Sequence, residues 1–285
     1  MSDNKIVEAI KNKGKTLEAE MSFFDHLNAL RGHLIRAALA ILLFTSIAFW
    51  YHDFIIHNVI FGPKDPNFWT YRMMCKMGNL LHMEGWCVEK FDFTIISTEL
   101  GGQFNLMINS CIMTGVVFGF PYLLWELWRF IKPALLEKER KAASGFVFYA
   151  STLFLIGILF GYFIIAPLSV KFLAGFSVSS EISNTFTISS YLSTVLTLTV
   201  GSGIVFELPI LIYILVSLSI LSATFMRKTR RYAIVLILII AAIITPTPDA
   251  ITMGVVAVPL LMLYEIGILV ALGVEKRRAA KDLVA

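Results

Sequence analysis

The chain has 285 residues, 57% of them hydrophobic and only 15% charged, with a mean hydropathy of +0.76 and a formal net charge of +4. So little charge excludes a water-soluble domain of this length and points to a polytopic membrane protein. The basic balance comes with no alternation of basic and aromatic residues, so it gives no footprint for a nucleic-acid partner.

The first twenty residues, Met1 to Glu20, are polar and carry lysines, and lack a short apolar stretch ending in a small-residue cleavage site. No cleaved signal peptide is read there. Ser22 and Asp25 then fit a helix-starting capping box, and Phe23, Leu27, Leu30 and Leu34 recur at helical spacing. This predicts a short amphipathic helix at the membrane surface, whose commoner use is as an interfacial anchor.

Six spans follow, at about 34–51, 104–126, 145–168, 189–221, 232–245 and 251–272. The predicted architecture is all-α: a six-helix transmembrane domain over 34–272, an N-terminal segment 1–33 and a tail 273–285. Nineteen of the twenty-four Lys and Arg residues fall in the N-terminal segment to Arg36, the 127–144 loop, the 222–231 loop and the tail. Lys64, Arg72, Lys76, Lys90 and Lys171 fall in the opposite loops. Both termini are therefore read as cytoplasmic.

The outward loop, about 52–103, carries enough aromatic mass to form a cap on the membrane, and Phe91 to Thr98 alternates like a strand. Cys75 and Cys87 both fall in this loop, where an oxidising compartment would allow a disulfide; two cysteines alone leave that open. The fourth span is long enough to require tilt or a kink at Pro209. The fifth, Tyr232 to Thr245, reaches roughly 21 Å against a hydrocarbon core of ~30 Å. Such a mismatch calls for a thinned bilayer or a concave protein surface, so the expectation is a concave bundle with short fifth and sixth helices.

The five histidines are scattered, with no HExxH pair, and there is no nucleophile elbow, P-loop or dinucleotide fingerprint. Neither an enzyme, a metal site nor a cofactor is expected. Gly201-Ser202-Gly203 reads as a small-residue packing patch between helices. The acids near the membrane remain: Glu126, Glu137, Glu139, Glu207, Asp249 and Glu265. On position alone Glu139 reads as a solvated loop charge, Asp249 as the N-cap of the sixth span, and Glu265 as either a functional acid or a polar group paired across helices. Glu207 is different. It sits deep in an apolar run with Pro209 two residues behind, where an ionised carboxylate costs several kcal/mol unless paired, protonated or facing a wet cavity.

Five strings in order, Phe24-Asp-His-Leu-Asn-Ala-Leu-Arg31, Phe130 to Arg140, Phe206-Glu-Leu-Pro209, Thr245-Pro-Thr-Pro-Asp249 and Tyr264-Glu-Ile-Gly267, resemble the TatC subunit of the twin-arginine protein translocase over about 22–273. The resemblance implies an inner-membrane receptor that binds twin-arginine signal peptides of folded precursors. It also implies recruitment of TatA/TatB-type single-span partners, self-association and transport driven by the proton-motive force. Phe130 and Glu139 align with the family's signal-recognition residues, and Leu30 and Arg31 belong to its N-terminal motif. Ala29 stands where the family usually has a second glutamate, which makes Asp25 the candidate substitute and Glu137 the next. Glu207, with Pro209, matches the family's membrane glutamate associated with partner docking. Asp249 matches an outer-loop acid, although Met253 replaces the glutamine expected four residues on. The alternatives are an ion-coupled secondary transporter using Glu207 as its proton or cation site, and a scaffold without transport.

Overall fold

The computed structural model describes residues 23–82, 87, 91, 93–132, 145–179, 181, 184–245 and 250–282. Runs of Leu, Ile, Val, Phe and Ala form helices here because in hydrocarbon each backbone N–H and C=O must be satisfied within its own segment. Five stretches are long and apolar enough to cross a membrane: Asn28–Trp50, Gly102–Ile131, Phe146–Gly175, Ile188–Ser217 and Thr252–Lys276. The protein is a multi-pass helical membrane protein.

Helix α1, Phe23–Trp50, is one continuous helix, so the expected boundary between an amphipathic segment ending at 33 and a span beginning at 34 is absent. With no proline between them, the two hydrophobic patterns merge. A short cap follows, with helical turns at Ile55–Ile60 and Gly62–Lys64 and helix α2 at Trp69–Leu81. The expected strand over 91–98 is shorter, β1 Thr94–Ile96, and its parallel partner β2, Thr185–Thr187, was not foreseen. Tyr71 pins the cap to the bundle by donating to the carbonyls of Pro63 (2.7 Å) and Pro167 (3.0 Å), and burial pushes its phenol pKa upward. Tyr191 donates likewise to Ile60 O at 3.0 Å.

Helix α3, Gly102–Ile131, packs antiparallel to α1. A Cβ on Gly115 would lie 2.7 Å from the backbone nitrogen of Thr45, so only glycine allows this approach. The third span is α4, Phe146–Phe160, a π-helical turn at Gly161–Ile165, and α5, Ala166–Gly175. The fourth is α6, Ile188–Phe206, and α7, Leu208–Ser217. These two spans cross where a Cβ on Gly157 would come within 2.8 Å of the Gly203 Cα. Ser202 and Gly203 thus form the expected packing patch, whereas Gly201 faces open space.

The fourth span ends at Ser217, before the expected 221, and Ser219 turns the chain at a φ of 59°. The basic segment read as a 222–231 loop contains helix α8, Ala223–Lys228. Ser222 Oγ accepts from the Phe225 N–H at 3.2 Å, and Glu275 Oε1 accepts from the Ala223 N–H at 2.8 Å. Helix α9, Arg230–Ile244, has 15 residues and is short as expected, about 22 Å long. The last helix, α10, is not short: it runs from Ala250 to Asp282, 33 residues. Its basic tail continues the helix because Lys, Arg, Glu and Ala are all good helix formers.

The start of α1 and the ends of α3 and α10 share one end of the bundle, the terminal end. The cap covers the opposite, loop end.

Candidate functional site

At the terminal end α1 and α3 each contribute residues on one helical face, His33 with Arg36 and Tyr122 with Glu126 and Arg129. They converge on Glu126, whose side chain is only 1% exposed. A carboxylate only accepts, so the 2.5 Å contact from His33 Nδ1 to Glu126 Oε2 puts the proton on Nδ1. Arg36 Nη2, 2.9 Å from that nitrogen, then finds its acceptor in Oε2 at 3.1 Å, beside Nε at 3.2 Å. The other oxygen accepts from the Tyr122 hydroxyl at 3.1 Å and from Arg129 Nη1 at 3.4 Å. Arg129 also lies 5.0 Å over the Trp125 ring. One buried carboxylate thus ties α1 to α3, and its acceptor capacity is filled.

Phe130 stands edge-on to the His33 ring at 6.0 Å, which brings this residue of the inner-loop motif onto the N-terminal motif's helix. Leu30 is exposed on α1, and Arg31 lies beside it. Glu137, Glu139 and Asp249 fall outside the described residues, as does the side chain of Asp25.

Glu207 occupies the opposite electrostatic situation. It is the junction between α6 and α7, so the break expected from Pro209 falls at the acid itself, with Pro209 in the first turn of α7. The Glu207 carbonyl accepts from the N–H groups of Ile210 and Leu211, both at 3.0 Å. Its side-chain oxygens are both buried, and neither has a hydrogen-bond partner among the described residues. Ten residues separate it from Ser217, which sets it about 15 Å in from the terminal end, at bilayer depth.

Glu265 is paired across helices: its Oε2 accepts from Arg230 Nη2 at 2.7 Å, with both side chains 50% exposed. Cys75 and Cys87 are joined as a disulfide with Cα atoms 4.2 Å apart.

The family model described as Sec-independent protein translocase protein (TatC) matches residues 25–259. The chain belongs to the TatC family. It is 36% identical over 266 residues to the TatC of Blattabacterium sp. subsp. Periplaneta americana, covering 93% of this chain and 100% of the relative. It is 34% identical to the TatC of Deinococcus radiodurans, covering 89% and 86%. Two crystal structures of the twin-arginine translocase receptor TatC match at 30% identity with TM-scores of 0.61 and 0.65. Each covers 86% of this chain and at least 97% of the solved one. TatC proteins are translocase components and not enzymes.

The Glu126 cluster was missed as a site, although Glu126 itself was noted among the acids. Its signal was available in part, as two i, i+3 pairs, His33 with Arg36 and Glu126 with Arg129. What brings these pairs together is the helix crossing at Gly115, which no local pattern encodes.

Proposed function

We propose that this chain is the receptor subunit of a twin-arginine translocase in the inner membrane, with its terminal end in the cytoplasm. In this reading the inner loop binds the paired arginines of a signal peptide through Glu139, beside Phe130, with Asp25 or Glu137 supplying the second carboxylate. Leu30 and Arg31 belong to the same surface. Carboxylates at an interface suit guanidinium groups, because charge-assisted bidentate bonds strengthen as the dielectric falls. Glu126 is not the arginine ligand, since His33, Arg36, Tyr122 and Arg129 already occupy its oxygens.

Glu207 docks the single-span TatA/TatB-type partners, with transport driven by the proton-motive force. The observation that carries this is that both buried Glu207 oxygens lack a partner among the described residues, at a helix break within a span. A donor on an incoming helix would satisfy them, at about 1–2 kcal/mol per interhelical hydrogen bond. Pro209 keeps the break, and Asp249 is assigned to the outward tip. The likeness to two solved twin-arginine translocase receptors supports the receptor half of the reading.

The test is photo-cross-linking from position 139 to a peptide carrying Arg-Arg and to the same peptide carrying Lys-Lys. Preference for Arg-Arg is expected; equal cross-linking removes the receptor assignment. Solute movement by this chain alone in liposomes would favour the ion-coupled transporter instead.

A further inference from the structure

Helix α2, Trp69–Leu81, has four distinct sides. Thr70, Tyr71 and Gly78 are buried against the rest of the protein. At about 100° per residue, Trp69, Met73, Met77 and Leu80 fall together on a neighbouring side. These four side chains are between 43% and 81% exposed, an apolar stripe that nothing in the chain covers among the described residues. Arg72 and Lys76 line the far edge of the stripe, and Cys75 and Asn79 take the side turned away from it. The helix therefore carries two cations and no acid. Lys64, in the preceding turn, lies over the Phe93 ring at 5.8 Å. Arg72 and Lys76 make no ion pair or side-chain hydrogen bond among the described residues.

Height in the bundle decides what lies beside this stripe. The third span, Phe146–Gly175, has thirty residues and is about 45 Å long, some ~15 Å more than a hydrocarbon core of ~30 Å. Phe163 stands seventeen residues from Phe146 at the terminal end, about 25 Å along the span. Trp69 packs edge-on to the Phe163 ring at 5.9 Å, and the Thr70 hydroxyl donates to the Phe163 carbonyl. Trp50, the last residue of α1, and Tyr51 after it are 85% and 60% exposed, and Tyr51 shares with Phe163 the lining of one apolar groove. Helix α2 thus starts at the loop-end boundary of the hydrocarbon, the level at which Trp and Tyr collect in membrane proteins. An apolar stripe at this height meets acyl chains.

Charge then selects the class of lipid. Long Arg and Lys stems let the charged heads reach the headgroup layer while the stripe beside them stays immersed, and a guanidinium matches a phosphate through paired hydrogen bonds. No acid on α2 opposes a negative headgroup. We propose that α2 is an interfacial lipid-binding helix of the loop-end leaflet, with the Trp69, Met73, Met77 and Leu80 stripe among the upper acyl chains and Arg72 and Lys76 on the phosphates of anionic phospholipids. This arrangement needs only that the loop end meets one leaflet, so it stands apart from the receptor reading and from which compartment that end faces.

The test reconstitutes the full chain in phosphatidylcholine vesicles doped with a photoactivatable phospholipid, its diazirine near the top of the acyl chain and its headgroup either glycerol or choline. Adducts on Met73, Met77 and Leu80 are expected, read by mass spectrometry of the cleaved protein. One basic side chain beside an anionic surface is worth roughly fivefold, so the phosphatidylglycerol probe should label α2 at least about fivefold more than the phosphatidylcholine probe. Arg72→Gln together with Lys76→Gln should remove that preference, while labelling of the exposed Leu39 and Leu43 on α1 stays as it was and reports intact insertion. In the assembled translocase α2 should keep its adducts. An α2 left unlabelled beside labelled Leu39 and Leu43 overturns the proposal, as does equal labelling by the two probes or a preference that survives the double variant. Loss of the α2 adducts on assembly overturns it too, because a protein then covers the stripe. None of these results bears on Arg-Arg-dependent cross-linking at position 139, which tests the receptor reading alone.

Discussion

Glu126 and Glu207 are both carboxylates buried in spanning helices, and their surroundings could hardly differ more. Glu126 accepts from a histidine, two arginines and a tyrosine, and the cluster holds α1 against α3. Among the described residues neither Glu207 oxygen finds a partner, and the acid sits where its helix breaks. Burial by itself therefore says little about the role of an acid in this protein. A filled acceptor set fits a structural acid, and an empty one fits the docking role proposed for Glu207.

The sharpest way to break this contrast is to replace both acids and measure stability and export separately. Glu207→Leu should lower export by roughly tenfold or more, since ~1.4 kcal/mol of lost docking energy is a factor of ten. Its unfolding midpoint in detergent should hold or rise, because an unsatisfied buried carboxylate is removed; a clear fall would mean that Glu207 has a structural partner. Glu126→Ala should do the reverse, costing roughly 2 kcal/mol of stability. That figure sits below the cost of breaking a fully buried pair because Arg36 and Arg129 are about half exposed and can regain water. Tyr122→Phe removes one neutral donor and should lower the midpoint less than Glu126→Ala does; an equal fall would show that the cluster acts as a single unit. Arg230→Ala, at the half-exposed pair with Glu265, should cost under about 1 kcal/mol, and a double-mutant cycle with Glu265→Ala measures the coupling.

The two acids also differed in how far they could be read beforehand. Glu207 announced itself because a lone charge in a long apolar run is anomalous against its immediate neighbours. Glu126 lies at the edge of a span among Trp125, Trp128 and Arg129, where an acid is unremarkable. Its partners on α1 are some ninety residues away in sequence. The short α9 is legible from its length, whereas the long α10 is not, because the helix continues past the end of its apolar run. The strand at Thr94–Ile96 was visible as an alternation, but its partner at Thr185–Thr187 is too short to signal alone.

Sequence alone determined that this chain lies in a membrane, where its long apolar helices fall, that it resembles TatC, and that Glu207 is out of place. Those properties are set by local composition, because the hydrocarbon core imposes one rule on each segment independently. The tertiary structure decided which acids are satisfied and which are not, and that α1 passes through its expected boundary unbroken. These depend on close approach between distant segments, as where Gly115 meets Thr45 and Gly157 meets Gly203. A hydrogen bond forms or fails within a few tenths of an ångström, and only the packed helices fix positions that finely.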